Sequence, residues 1–222
     1  MKSGFSVSLW LFLAILIFMA ISCSTGDEGG ADDPRFAEAD SLIQAALSDD
    51  QFTGVVLLIG EKGEIVHHKA YGYASLYNED LRVIERPDSM SREHLFDLAS
   101  LTKIFATTYA VMALHTDGMV ELDDPISRFL PGFDNSGHSS ITIRQLLNHT
   151  SGLRPWYPLY YLPDRPDERL EAIRSLPLSG VPGENRQYSD LGYILLEEII
   201  ESISGMSFEA YLNERVYSRL GL

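Results

Sequence analysis

Cysteine is almost absent from this 222-residue chain: Cys23 is its only one. No disulfide can form within the chain, and cysteine-ligated zinc and thiol catalysis have no residues to use once Cys23 is set aside. Lysine is scarce too, confined to Lys2, Lys62, Lys69 and Lys103. Asp and Glu number 32 against 17 Lys and Arg, a net charge of −15. A surface of that sign argues against nucleic acid or an anionic membrane surface as partner, because phosphate binding needs basic side chains. Gly-x-Ser-x-Gly, Gly-x-x-x-x-Gly-Lys and Gly-x-Gly-x-x-Gly are all missing, so neither an α/β-hydrolase elbow nor a nucleotide-binding loop has support. His67 and His68 adjoin in a predicted strand and point to opposite faces. His115, His138 and His149 stand apart from one another, without metal-ligand spacing. Surface or structural roles are expected of them, with no metal and no cofactor.

What is present suits one domain with a substantial core: 45% of residues are hydrophobic and 22% charged. The first residues are set apart. Leu9 to Ile21 is an apolar run of 13 behind Lys2, inside the ~7–15 of a signal-peptide core and short of the ~20 that span a bilayer. It leads into Ala20-Ile21-Ser22-Cys23, which resembles a bacterial lipobox, although Ala20 stands where Leu is usual. The expected organisation is a signal peptide over 1–22, a tether over 23–34 lipidated at Cys23, and a domain over 35–222. An ordinary signal peptide or uncleaved anchor with an incidental Cys23 is the alternative. Ser24 to Pro34 is polar and rich in Gly and Asp, as a flexible tether would be.

Along the domain, Phe36, Ala39, Leu42, Ile43 and Ala46 have helical spacing. Gly54–Ile59 and Glu64–Tyr71 flank a Gly-bounded turn and predict a β-hairpin. Residues 72–95 read as loop, with no convincing strand after residue 71. From Ser100 to Asp117-Gly118 the apolar residues leave little polar face, predicting a helix buried on most sides. Asp124-Pro125 predicts an N-cap and helix start running to Leu130, and Thr142 caps a short helix through Asn148. Pro155 to Pro182 holds six of the ten prolines and reads as a loop-rich excursion. Leu191, Ile194, Leu195, Ile199 and Ile203 form a stripe ended by Gly205, and Ser207 opens a last helix.

Ser100-Leu-Thr-Lys103 could carry chemistry. On a helix, residues i and i+3 lie ~5–6 Å apart on one face, so an amine can take the hydroxyl proton as the oxygen attacks a carbonyl. Burial of the lysine would lower its pKa, as a lysine base requires. The spacing alone is weak: 23 serines and four lysines in 222 residues supply about 0.4 such pairs by chance. On spacing alone, a capping Ser100 with Lys103 reaching solvent is the favoured reading.

The surroundings are more specific. Phe96-Asp-Leu-Ala-Ser-Leu-Thr-Lys-Ile-Phe-Ala106 resembles the Ser-x-x-Lys segment of the β-lactamase and penicillin-binding-protein family, above all its class C-like and esterase branch. Asp123-Asp-Pro-Ile126, Leu130-Pro131 and Ile141-Thr-Ile-Arg-Gln-Leu-Leu-Asn-His-Thr-Ser-Gly-Leu153 are similar to stretches of the same family, and the resemblance runs from about residue 50 to the end. Tyr188-Ser-Asp190 sits where that family has Tyr-x-Asn. The resemblance implies an α+β, β-lactamase/transpeptidase-like fold, with Ser100, Lys103 and Tyr188 catalytic and Asp190 at a substrate-binding position. Asp190 departs from the pattern: a carboxylate only accepts hydrogen bonds, and its charge disfavours anionic substrates. The family's third motif, a Lys-Thr-Gly or His-x-Gly strand, does not follow Tyr188. The chain is therefore expected to be the N-terminal part of such a domain, without its C-terminal strands and inactive by itself.

The implied activity is that of a serine hydrolase in the bacterial cell envelope, forming an acyl-enzyme with an ester, amide or β-lactam carbonyl. Its partner would be a small-molecule or peptidoglycan-peptide substrate, with membrane contact only through the lipid anchor. A non-catalytic lipoprotein of the same fold that binds cell-wall peptides is the alternative.

Overall fold

The computed structural model describes residues 33–134, 137–162 and 165–222. The signal-peptide segment, most of the tether and Cys23 lie outside them. Helices and a three-stranded antiparallel sheet make an α+β chain, which divides after Phe96 into two compact units.

In the first unit, Asp33 caps a short 3₁₀ turn that leads into α1 (Ala37–Ser48). β1 (Gly54–Glu61) and β2 (Glu64–Tyr77) pair as the predicted hairpin. Lys62 and Gly63 between them both have positive φ, the conformation that matches a two-residue turn to strand twist. β2 runs past its expected end, and a third strand, β3 (Val83–Ser89), pairs with it. That strand falls within the stretch expected to be loop. Pro87 is compatible with it because β3 is the outer strand of the sheet, where a missing N–H costs no ladder bond. Among the described residues of this unit only His67 and Tyr71 are buried. The α1–β2 contact includes a polar cluster: Asp40 accepts from Lys69 Nζ at 2.9 Å and from the Tyr71 hydroxyl, with His67 Nε2 3.2 Å away.

The second unit holds the hydrophobic core. A π-helical segment, Lys103–Thr108, continues into α2 (Tyr109–Thr116). α3 is Ile143–Leu147, α4 is Pro166–Ser175, and α5 is Asp190–Ser204. α6 (Phe208–Leu212) leads through another π-helical turn to α7 (Ser218–Leu220). α5 buries Leu191, Leu195, Leu196, Ile199 and Ile200 among Val111 and Leu114 of α2, Ile143 and Leu146 of α3, and Phe133. Each such side chain contributes roughly 1.5–3 kcal/mol of transfer free energy.

Local signals explain the boundaries. Thr142 and Gln145 form a reciprocal capping box on α3, as the cap expectation required. Ser189 caps α5, and Gly205 ends it in the left-handed conformation. α4 interrupts the expected loop, with Pro166 in its first turn, Asp167 and Glu168 at its positive end and Arg174 near its negative end. Arg169 ties it to Glu198 of α5 at 3.0 Å. Asp124 is not the expected helix cap. Its carboxylate accepts the Glu121 N–H and pairs with Arg128, and only a 3₁₀ turn, Ile126–Arg128, follows Pro125. The helix after Ser100 is also less enclosed than its composition predicts. Ala106, Ala110, Val111 and Leu114 are buried, while Leu101, Ile104, Phe105 and Met112 are exposed.

Candidate active site

Ser100 stands on a tight turn ahead of the helix. Asp97 accepts the Ala99 N–H at 2.7 Å, and Lys103 N–H bonds the Ser100 carbonyl at 3.1 Å. Ala99 has φ of 44°, a left-handed conformation that costs a residue with a Cβ and recurs beside functional groups. The π-helical register begins at Lys103 itself; such insertions are frequent at functional sites. Its widened turn leaves the Lys103 carbonyl to the Thr108 hydroxyl and the Phe105 carbonyl to the Tyr217 hydroxyl.

Lys103 Nζ lies 3.4 Å from Ser100 Oγ and 2.7 Å from Asp190 Oδ1. Lys103 also sits over two rings, 5.0 Å from the centroid of Tyr188 and 5.7 Å from that of Tyr193. The fold thus brings together all four domain residues singled out in the sequence. Asp190 arrives as the first residue of α5, which places its carboxylate at the positive end of that helix.

The charge state of the lysine differs from the expectation. Burial pulls the Lys103 ammonium down, but its bonds to Asp190 and Tyr188 outweigh burial and leave its pKa raised. The carboxylate that replaces the family's amide is the physical reason. Tyr188 moves the other way: bonds from Lys103 and then Ser100 stabilise its phenolate and lower its pKa. The Lys103 ammonium therefore supplies fixed positive charge that favours the phenolate form of the adjacent Tyr188.

Two residues at the site were missed. Tyr193 donates to the Leu147 carbonyl at 3.0 Å and presents its ring to Lys103. His149 is buried, with its ring centroid 4.5 Å from that of Tyr188 and 5.2 Å from that of Tyr193. The signal for Tyr193 was its place three residues beyond Asp190, on the same helical face. His149 had no spacing signal at all. Among the described residues no group of His, Cys, Asp and Glu could hold a metal ion.

A serine, a lysine and a tyrosine converge at the head of this helix, an arrangement similar to that of serine hydrolases with a Ser-x-x-Lys motif. Residues 39–222 match the family model for β-lactamase, and the chain belongs to that family. A class C β-lactamase has the same fold, with a TM-score of 0.72 over 87% of this chain and 51% of its own at 22% identity. EstCE1, described as a hydrolase with promiscuous acyltransferase activity, gives a TM-score of 0.68 at 28% identity, over 82% of this chain and 50% of its own. Among curated relatives, the Escherichia coli (strain K12) protein named "Putative D-alanyl-D-alanine carboxypeptidase" is 33% identical, covering 96% of this chain and 54% of that protein. The "N-acetylmuramyl-L-alanine amidase" of Bacillus subtilis (strain 168) is 31% identical, covering 85% of this chain and 45% of that protein. The chain spans about half the length of these curated relatives.

Proposed function

We propose that this chain supplies the nucleophile half of a serine acyl-transfer hydrolase working in the bacterial cell envelope. Ser100 Oγ attacks a carbonyl carbon and gives its proton to the Tyr188 oxygen. The tetrahedral intermediate collapses to an acyl-serine, and the leaving group departs with a proton returned from Tyr188. Water then attacks the acyl-serine by the same route and frees the acid and Ser100. Lys103 stays an ammonium throughout, and its charge keeps Tyr188 available as the phenolate that takes the serine proton. The observation that carries this reading is the convergence of Ser100 and Tyr188 on Lys103, whose Nζ lies 3.4 Å from Ser100 Oγ and 5.0 Å from the Tyr188 ring centroid. Substrates are esters, amides or β-lactams, including peptidoglycan stem peptides; the carboxylate of Asp190 favours those without a negative charge near the scissile bond.

The test is labelling of the full-length protein with a fluorophosphonate or penicillin probe. Wild type is expected to label and Ser100→Ala to lose at least nine-tenths of the signal. Equal labelling would overturn Ser100 as the nucleophile. The same blot reads localisation. With residues 1–22 as signal and Cys23 as lipid site, labelled protein stays with membranes and Cys23→Ser releases it. Retention of the variant there would refute the anchor.

A further inference from the structure

His149 follows α3 with φ of 62°, a left-handed backbone at a residue with a side chain, and its ring is only 7% exposed. Three contacts tie it to the turn that presents Tyr188. Its carbonyl accepts the Gln187 N–H at 2.8 Å. Its Nδ1 accepts the Ser189 N–H at 3.1 Å. Between those two bonds its ring lies against the Tyr188 ring, inclined by 34°. The residues before and after the tyrosine are thus fastened to one histidine, which also supports the aromatic ring itself.

We infer that His149 is the positioning residue of this site: as a neutral imidazole it fixes the Tyr188 turn so that the phenol oxygen stays on Ser100. The inference rests on the hydrolase reading of Ser100 and Tyr188. The chemistry of the contact is selective. An amide N–H can bond only an imidazole nitrogen that carries no proton, so the ring's proton is on Nε2. A second proton would set N–H against N–H and undo the clamp. The groups facing the ring are Lys103 from the π-helical segment, Arg186 from the preceding loop, Asp190 and Tyr193 from α5, and Tyr188. Burial first, then Arg186 and Lys103, push the imidazole below its ordinary pKa, with Asp190 opposing. The neutral form therefore persists at neutral pH and is lost as pH falls through that lowered value.

The test compares His149→Ala and His149→Asn in the full-length protein. Asn keeps an oxygen acceptor, tolerates the left-handed backbone and does not titrate. For hydrolysis of a neutral ester, His149→Ala is expected to lower kcat on the order of tenfold to a hundredfold with KM little changed. His149→Asn should recover much of that loss. It should also flatten the part of the acid limb of the pH–rate profile that His149 sets in wild type. A thermal melt of both variants separates this from unfolding. ¹⁵N NMR of the wild type, with no turnover needed, should show His149 as the Nε2–H tautomer with a titration midpoint below an ordinary imidazole. An Nδ1–H tautomer, an ordinary midpoint, or folded Ala and Asn variants with equal kcat and unchanged acid limbs would each overturn the role. Failure of Ser100→Ala to lose labelling would overturn the hydrolase reading instead.

Discussion

At the scale of single residues, Asp190 changes the chemistry of the group it touches. An amide in its place would remove the charge that opposes burial most strongly at Lys103 and so ease the amine toward its neutral form. The carboxylate at 2.7 Å does the reverse, and the Lys103 pKa is raised despite desolvation. A group raised in this way keeps its ion pair below its ordinary pKa and loses it only as pH rises through the raised value. Asp190→Asn should therefore move the alkaline limb of the pH–rate profile to lower pH. It should also shift the ratio of kcat/KM for a carboxylate-bearing acyl donor over a neutral ester upward by about tenfold, the worth of one screened charge contact. An unchanged ratio would show that substrate never comes near Asp190. The identities of Ser100, Lys103, Tyr188 and Asp190 were legible through the motifs around them. The protonation of Lys103 was not, because it depends on a carboxylate that only folding brings to the amine. His149 was invisible for a related reason, since its partners are backbone amides and rings rather than residues at a recognisable spacing.

The elements show the same division between local and distant causes. Caps and stripes made α3 and α5 readable, because Thr142, Gln145, Ser189 and Gly205 act within a few residues of the helices they bound. β3 was unreadable because its alternation is shallow, it carries Pro87, and its pairing with β2 is irregular. α4 was hidden by the prolines on either side of it. Gly152 shows how the loop between α3 and α5 is fixed. It has φ of 74°, its carbonyl accepts the Ser179 and Gly180 amides, and an added Cβ would sit 2.3 Å from the Gly180 oxygen. Gly152→Ala should destabilise the protein by at least about 1–3 kcal/mol, measured by chemical denaturation. Because Gly152 lies three residues from His149, the same variant is expected to lower probe labelling of Ser100 while the protein is still folded. Wild-type stability would show that the backbone there can relax.

For the whole molecule, the balance of charge and core differs between the two units. The second has a continuous apolar core running through α2, α3 and α5. The first buries only His67 and Tyr71 among its described residues, and α1 is held to β2 through Asp40. Bonds from Tyr71 and then Lys69 lower the Asp40 pKa, so this contact acts when the carboxylate is ionised and is lost as pH falls through the lowered value. With no fully buried residue, α1 lacks the deep burial that makes helix opening rare. The free-energy cost of peeling α1 from the hairpin includes the charge of the Asp40 contact, a part that added salt lowers. In amide hydrogen exchange, α1 should give up its protons well before α5, sooner still in high salt or below the Asp40 transition. Equal protection of the two helices would contradict this. The Asp40 contact is thus a fastener that opens while the core of the second unit stays folded.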